Sequence, residues 1–197
     1  PHFPSLNIRT DGIEKLMLVY GKLCANRGFQ RLCVHGSGGE SRVNWRAVRE
    51  LVIALAESER ETFIEEHATR NKRSRYPPRV REGENPQESR LMNIPMKERG
   101  IEVFISPEEE GWERRYYKVL FDVDIDSERK KEICVNYLEG LEWTLAYYTR
   151  GCKSWRWAYT YPYPPLLSDL AQFVPYFDTS FIAGDAKQAR PTPQQQQ

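Results

Sequence analysis

The stretch from Tyr137 to Leu170 constrains the fold of this chain more than any other part of the sequence. Apolar residues first recur at helical spacing, and this pattern stops at Gly151, a residue type that commonly ends helices. Aromatic residues then occupy every second position: Trp155, Trp157, Tyr159, Tyr161 and Tyr163. Prolines interrupt this ladder, so it is not a central strand. The stretch predicts a long helix followed by an extended segment rich in aromatic residues and proline.

Length and composition indicate one domain with a core of its own and a polar surface. The chain has 197 residues, of which 40% are hydrophobic and 29% charged, and its net charge of +1 creates no overall field that attracts nucleic acid. No apolar run approaches the roughly 20 residues of a membrane helix. The four cysteines lack a CxxC pair, which favours free thiols in the cytoplasm or nucleus. The sequence starts at Pro1, and we expect it to be a piece of a longer protein.

Four capped and periodic segments predict a mainly α-helical fold. The expected N-cap residues are Thr10, Asn44, Ser106, and Asp126 or Ser127. The first helix is expected to end near Gly28, the second near Thr69 and the fourth at Gly151. One face of the first helix carries Ile13, Leu16, Met17, Tyr20 and Leu23. Residues 31–34 are expected to be extended, and a short helix is expected near residues 168–170.

Periodicity disappears between residues 70 and 100, where proline, glycine, asparagine and charged residues dominate. We expect a helical domain over residues 1–170 with a flexible, disordered insertion at about 70–100, and a low-complexity or truncated tail over 171–197. The insertion opens with a basic run that contains Arg73 and Arg75. This run is either a solvated surface or an arm that contacts phosphate groups.

Four blocks of the sequence resemble the Xrn/Rat family of 5′→3′ exoribonucleases. They are PHFPSLNI at residues 1–8, the apolar helix at 10–20, GWERRYYK at 111–118 and the YLEGLEW…SWRWAY…SDL block at 137–170. The last block is similar to the family pattern YLEGLxWxLxYYxxGxxSWxWxYxYxYxP. One departure is Pro162, which stands where the family usually has histidine. The resemblance implies the central helical domain, which in this family packs beside the nuclease domain.

The resemblance implies a role in processive degradation of single-stranded RNA that carries a 5′-monophosphate. The family's metal-binding carboxylates precede PHFPSLNI, so Mg²⁺ is expected to be held by the nuclease domain of the same polypeptide and this chain is expected to be inactive alone. An aromatic residue of the family's SWxW region stacks on the 5′ base, which points to Trp155 or Trp157. Implied RNA-binding residues also include Tyr159, Tyr161 and His2.

Two questions remain open at the level of sequence. In an extended segment Trp155 and Trp157 point the same way, so both could stack on RNA, both could belong to the core, or one could serve each role. Asp122, Asp124 and Asp126 are closely spaced, yet aspartates between two helices more often serve turns and caps than metals. A different class of function, a non-catalytic scaffold, would use the YPYPP stretch and the RPTP tail in polyproline conformation to dock on partner proteins.

Overall fold

The computed structural model describes residues 6, 11–36, 40–75, 83, 85–93, 98–152 and 154–182, with the backbone alone at 73–75 and 90–93. This part of the chain forms eight helices and one hairpin, which confirms the predicted mainly α-helical fold. The helices are α1 (Gly12–Ala25), α2 (Trp45–Ala56), α3 (Glu59–Arg75), α4 (Pro86–Asn93), α5 (Arg99–Ile105), α6 (Trp112–Phe121), α7 (Ser127–Arg150) and α8 (Leu167–Phe173). Strands β1 (Cys33–His35) and β2 (Ser41–Val43) pair antiparallel, with Val34 opposite Arg42. None of the described helices is long and apolar enough to cross a bilayer.

Local capping chemistry explains the bounds of α2 and α7, two helices of the core. The Asn44 side chain accepts the N–H of Ala47 at 3.4 Å at the start of α2. Asp126 accepts the N–H of Arg129 at 2.8 Å at the start of α7. Gly151 follows α7 with a φ of 87°, a conformation that side chains disfavour. These three boundaries agree with the sequence predictions.

A first hydrophobic cluster joins α1, α2, α7 and α8. Its buried side chains include Leu51, Val52, Leu55, Tyr137, Leu138, Leu167, Leu170 and Val174. Trp45 is buried beside them, donates its indole N–H to the carbonyl of Thr179 at 2.9 Å and meets the ring of Phe181 edge-on. The segment after α8 therefore closes this core. The packed domain extends past the boundary expected at residue 170, as far as Phe181.

A second cluster is built by α3, α5 and α6. It contains Phe63, Ile105, Trp112, Tyr116, Tyr117, Leu120, Ile133 and Leu166. The ring centroids of Phe63 and Trp112 lie 5.1 Å apart. Helix α7 contributes Ile133 to this cluster and Tyr137 to the first, one turn further on. A fully buried side chain of this size contributes roughly 1.5–3 kcal/mol, so α7 holds both clusters together.

The helix expected to start at Ser106 begins six residues later, at Trp112. Ser106 instead ends α5 with a left-handed φ of 42°. The single helix expected over 44–69 is divided at residues 57–58, and its second part continues to Arg75. Within the insertion expected at about 70–100, the backbone of residues 70–75, 86–93 and 99–100 is helical, and most of the other residues lie outside the described part of the chain.

Helix α1 also differs in detail from its sequence prediction. Its N-cap residue is Asp11, without a side-chain cap, and Gly28 does not adopt the left-handed backbone expected of it. Leu16, Tyr20 and Leu23 face the first cluster. Ile13 and Met17, which were expected on the same buried face, are more than half exposed.

Two buried carboxylates tie α8 to the helices around it. The carboxylate of Glu59 accepts the backbone N–H of Leu167 at 2.6 Å and that of Ser168 at 3.0 Å, at the start of α8. Asp169 accepts the hydroxyl of Tyr117 at 2.7 Å and the ammonium group of Lys130 at 2.6 Å. Buried polar groups of this kind fix register because every donor must find its partner.

Burial raises the pKa of Glu59 from 4.5 to about 7, despite the two N–H groups that favour its charged form. Because the folded-state pKa is the higher one, this group's contribution to stability is complete below pH 4.5 and is lost as the pH rises through 7. We expect the free energy of unfolding to fall by on the order of 3 kcal/mol across this window from this group alone. Glu59→Gln should remove that dependence, which chemical denaturation at a series of pH values measures. Identical pH profiles for the two proteins would contradict the assignment.

Candidate nucleic-acid interface

The carboxyl-terminal half of α7 and the chain that follows it form an aromatic surface. The indole N–H of Trp143 donates to the carbonyl of Ser154 at 3.0 Å. This bond crosses from the helix to the returning chain, past the turn that Gly151 allows. The SWRW segment is therefore fastened to the side of α7 immediately before Trp155.

Three rings stack in a column along α7. The ring of Trp143 lies 5.3 Å from that of Tyr147 with a 9° angle between the planes, and 5.6 Å from that of Trp157 with a 22° angle. The indole N–H of Trp157 reaches the carboxylate of Glu139 at 3.4 Å. Stacked aromatic pairs add roughly 0.5–1.5 kcal/mol each beyond the area that they bury. The column therefore fixes Trp157 on the helix.

Gly140 makes room for the Trp157 ring. A Cβ atom at position 140 would lie 2.8 Å from Cη2 of Trp157, which is closer than real contacts allow. Helix interiors disfavour glycine by roughly 1 kcal/mol relative to alanine, so its presence in the middle of α7 reflects this close approach. The sequence signal for this contact is a glycine at the centre of a long helix, three residues before Trp143, whose ring stacks on that of Trp157.

Gly140→Ala is expected to lower the free energy of unfolding by about 1 kcal/mol, because the strain of overpacking exceeds the gain in helix propensity. Gly21→Ala is the matched control, since it lies inside α1 with no atom within 4 Å of an added Cβ. That variant should gain about 0.5–1 kcal/mol. Thermal unfolding of both variants measures the difference. Two changes of the same sign would mean that the Trp157 ring gives way without cost.

Trp155 and Trp157 have different environments, which corrects the expectation that they point the same way. Residues 155–156 form a turn rather than an extended strand, so the alternation is broken. The Trp155 side chain is 80% exposed, while Trp157 packs in the column. Tyr148, in the last turn of α7, is also 80% exposed. Two large aromatic side chains thus face solvent on the carboxyl-terminal half of α7 and the chain after it. The sequence pattern placed Tyr148 among the apolar residues at helical spacing and did not predict it as a site residue.

The tyrosines of the ladder pack on the core. Tyr159 meets Tyr137 edge-on, and its hydroxyl donates to the carbonyl of Tyr163 at 2.7 Å. Burial raises the pKa of Tyr159 well above its usual value. Tyr161 lies 6.2 Å from the ring of Phe121. The structure therefore places Tyr159 and Tyr161 against the protein, away from the exposed Trp155.

The other predicted site residues are not brought to this surface by the described contacts. His2 lies outside the described residues. Arg73 and Arg75 fall in the last turns of α3, where their side chains lie outside the described part of the chain. The aspartates between α6 and α7 have structural roles: Asp122 ends α6, Asp124 pairs with Lys118 at 3.2 Å and Asp126 caps α7.

A cleft of about 900 Å³ opens beside the last turns of α7. The hairpin, the last turns of α7 and residues 178–182 form its walls. Charged side chains in its lining are Glu40, Arg42, Glu142, Arg150 and Asp178. The sequence does not reveal this cleft, because its residues come from three separated segments.

Comparison with known proteins finds a family model that matches part of the chain. Residues 97–186 match the family model described as the Xrn1 helical domain. The predicted resemblance to the helical domain of the Xrn family is thereby confirmed over this part of the chain.

Individual relatives are similar over a shorter stretch. A chicken (Gallus gallus) protein named 5′-3′ exoribonuclease 2 is 48% identical over 62 residues, which are 31% of this chain and 6% of the relative. The 5′-3′ exoribonuclease 1 of Saccharomyces cerevisiae is 45% identical over 64 residues, 32% of this chain and 4% of the relative. The 5′-3′ exoribonuclease 2 homolog of Caenorhabditis elegans is 44% identical over 73 residues, 35% of this chain and 8% of the relative. The chain thus spans less than a tenth of the length of these relatives.

Proposed function

We propose that this chain is the helical domain of a 5′→3′ exoribonuclease that degrades 5′-monophosphorylated RNA processively. In this proposal it supports the nuclease domain and forms one wall of the pocket for the RNA 5′ end. The observation that carries the proposal is Trp155, an exposed indole in the SWRW segment of a chain that resembles the Xrn helical domain. We expect an enzyme with this function to act in the cytoplasm or the nucleus.

An exposed aromatic ring suits an enzyme that must hold every base in turn. Stacking uses the π-face that all bases share, so it is tolerant of sequence and contributes roughly 1–3 kcal/mol per base. The stacked column and the bond from Trp143 to Ser154 hold the chain beside Trp155 before RNA arrives. Less conformational entropy is then lost on binding.

The proposal assigns the chemistry of phosphodiester cleavage to the nuclease domain of the same polypeptide. That chemistry uses divalent ions held by clustered carboxylates, here Mg²⁺. Asp124 and Asp126 are not free for this role, since the first pairs with Lys118 and the second caps α7. Among the described residues, no group of three or more His, Cys, Asp or Glu side chains could hold a metal.

The outer face of α1 supports the nuclease domain as a partner. Ile13, Met17 and Leu18 are each more than half exposed on this helix. Ile13 and Met17 lie one turn apart, and neighbouring exposed apolar side chains often mark a contact surface. In the proposed enzyme this face packs against the nuclease domain.

The scaffold function is less well supported. Docking in an aromatic groove needs an exposed polyproline segment. Pro164 and Pro165 are buried, and the carbonyl of Pro164 accepts the hydroxyl of Tyr116 at 2.9 Å. The RPTP tail lies outside the described residues.

Mononucleotide release from single-stranded RNA tests the proposed function. The full-length polypeptide with Mg²⁺ should degrade RNA with a 5′-monophosphate much faster than the same RNA with a 5′-hydroxyl. Residues 1–197 alone should release nothing, because the carboxylates that the proposal requires belong to the nuclease domain. Equal rates on both RNAs would contradict the substrate, and activity of the isolated chain would contradict the division of labour.

A further inference from the structure

Two arginine side chains in the cleft contact the same carboxylate, and neither makes a short hydrogen bond to it. Oε2 of Glu40 lies 3.4 Å from Nη2 of Arg42 and 3.8 Å from Nη1 of Arg150. Charge-assisted N–H···O bonds are usually about 2.7–2.9 Å long, so both contacts are loose. The Nε atom of Arg150 is buried and has no hydrogen-bond partner. The two guanidinium groups therefore retain donors for a further anion.

The other acidic side chains of the cleft do not bind these two guanidinium groups. The carboxylate of Glu142 accepts the hydroxyl of Ser180 and the N–H of Phe181, the latter at 2.7 Å, and so holds the closing segment. Asp178 is exposed to solvent at the same cleft and has no ion-pair contact among the described residues. The Glu40 side chain is itself 52% exposed, so it can rotate into water when a stronger anion arrives.

We propose that an internal phosphodiester of single-stranded RNA binds between Arg42 and Arg150 and displaces Glu40. This inference rests on the proposed function, because it places the phosphate on the strand whose 5′ base stacks on Trp155. Arg150 is the last residue of α7, the helix that also carries the exposed Tyr148. Trp155 lies five residues after Arg150 in the chain. A phosphodiester offers two non-bridging oxygens, which two guanidinium groups can bind together.

The hairpin thereby gains a role in RNA binding. Arg42 lies in β2 opposite Val34, and the pairing of β1 with β2 holds it across the cleft from the end of α7. A strand bound in this way would contact an aromatic face for its bases and a basic pair for its backbone. That combination is typical of sequence-independent binding of single strands.

Binding of a fluorescently labelled single-stranded RNA to the 197-residue chain tests this site. Arg42→Gln and Arg150→Gln should each weaken binding about three- to tenfold, and each should reduce the salt dependence by about one phosphate contact. Arg114→Gln is the matched control, since this exposed residue of α6 lines a different cleft. An RNA with a 5′-hydroxyl should show the same losses as one with a 5′-monophosphate, because the phosphate is internal.

Glu40→Gln gives the opposite test. Removing the competing carboxylate should tighten RNA binding about three- to tenfold. Glu113→Gln, an exposed acid next to Arg114, controls for the general change in charge. Arg42 is mostly exposed, so its variant should fold even if substitution of Arg150 disturbs the end of α7.

The outcomes separate this site from the proposed function. If Arg42→Gln binds RNA as Arg114→Gln does, or Glu40→Gln binds no better than Glu113→Gln, the phosphate site is wrong. If Trp155→Ala still weakens binding in that case, the proposed function stands without it. A loss confined to the 5′-monophosphate RNA would place the terminal phosphate in the cleft and overturn the internal assignment. Absence of any RNA binding at low salt would contradict the phosphate site, whereas the proposed function is tested separately by RNA degradation with the full-length polypeptide.

Discussion

Replacing Asp169 with alanine is expected to lower the free energy of unfolding by about 3 kcal/mol, because it leaves a buried hydroxyl and an ammonium group without their partner. The Asp169 carboxylate is buried and joins Tyr117 of α6, Lys130 of α7 and its own helix α8. Asp169→Asn keeps an acceptor for the Tyr117 hydroxyl and should cost less. Chemical denaturation of the three proteins measures the series.

A surface ion pair provides the control for Asp169. Asp124 contacts Lys118 at 3.2 Å, but both side chains are about half exposed or more. Pairs of this kind contribute roughly 0–1 kcal/mol, so Asp124→Ala should change stability little. If the two alanine variants lose similar amounts, then the buried network does not stabilise the junction of α6, α7 and α8.

Alanine variants of the two tryptophans in the SWRW segment are expected to affect different properties. One should lower the stability of the domain, and the other should lower the rate of RNA degradation. Trp157→Ala should lower the free energy of unfolding by about 3 kcal/mol, because it leaves a gap against Trp143 and Gly140. Trp155→Ala should change stability by less than about 0.5 kcal/mol, as exposed positions usually do. The same variant should lose roughly 1–3 kcal/mol of stacking on the 5′ base and slow processive degradation by the full-length polypeptide.

Melting temperature and exonuclease rate, measured on the same preparations, distinguish these roles. Tyr148→Ala adds a second exposed ring from the same end of α7 and shows whether any exposed aromatic residue there matters. The stacking role of Trp155 is wrong if its alanine variant melts early and loses activity only in proportion to its unfolded fraction.

Sequence patterns predicted helix boundaries where the signal and its partner lie within one turn. Asn44, Asp126 and Gly151 are examples, since each acts on backbone that is at most four residues away. Ser106 carried an equally good signal and failed. The Arg115 side chain donates to the carbonyls of Ile105 at 2.9 Å and Ser106 at 3.0 Å, and Arg60 of α3 donates to that of Pro107 at 3.0 Å.

Of these three carbonyls, those of Ser106 and Pro107 would be needed by the hydrogen-bond ladder of a helix that started at Ser106. Arg60 lies on α3, 47 residues before the Pro107 carbonyl that it binds, so no local sequence pattern could reveal this contact. Tertiary contacts override a capping signal in this way wherever the backbone finds stronger partners.

The candidate site was predictable in its residue types and less so in their arrangement. The SWRW segment pointed to both tryptophans, yet it could not tell which one is exposed. That difference depends on Gly140 and Trp143, which lie on α7 and receive the returning chain. Arg42 lies near Arg150 because of a hairpin, and the sequence did not indicate the second strand of that hairpin.

The position of Ile133 and Tyr137 on consecutive turns of α7 has a consequence for how the domain melts. Each residue belongs to a different core, and a single continuous helix connects them. Loss of either core would expose one face of that helix and remove support from the other. We therefore expect the two hydrophobic clusters to unfold as one cooperative unit rather than as separate foldons. A ligand that binds at the far end of α7 would protect amide hydrogens in α6, although it touches none of them.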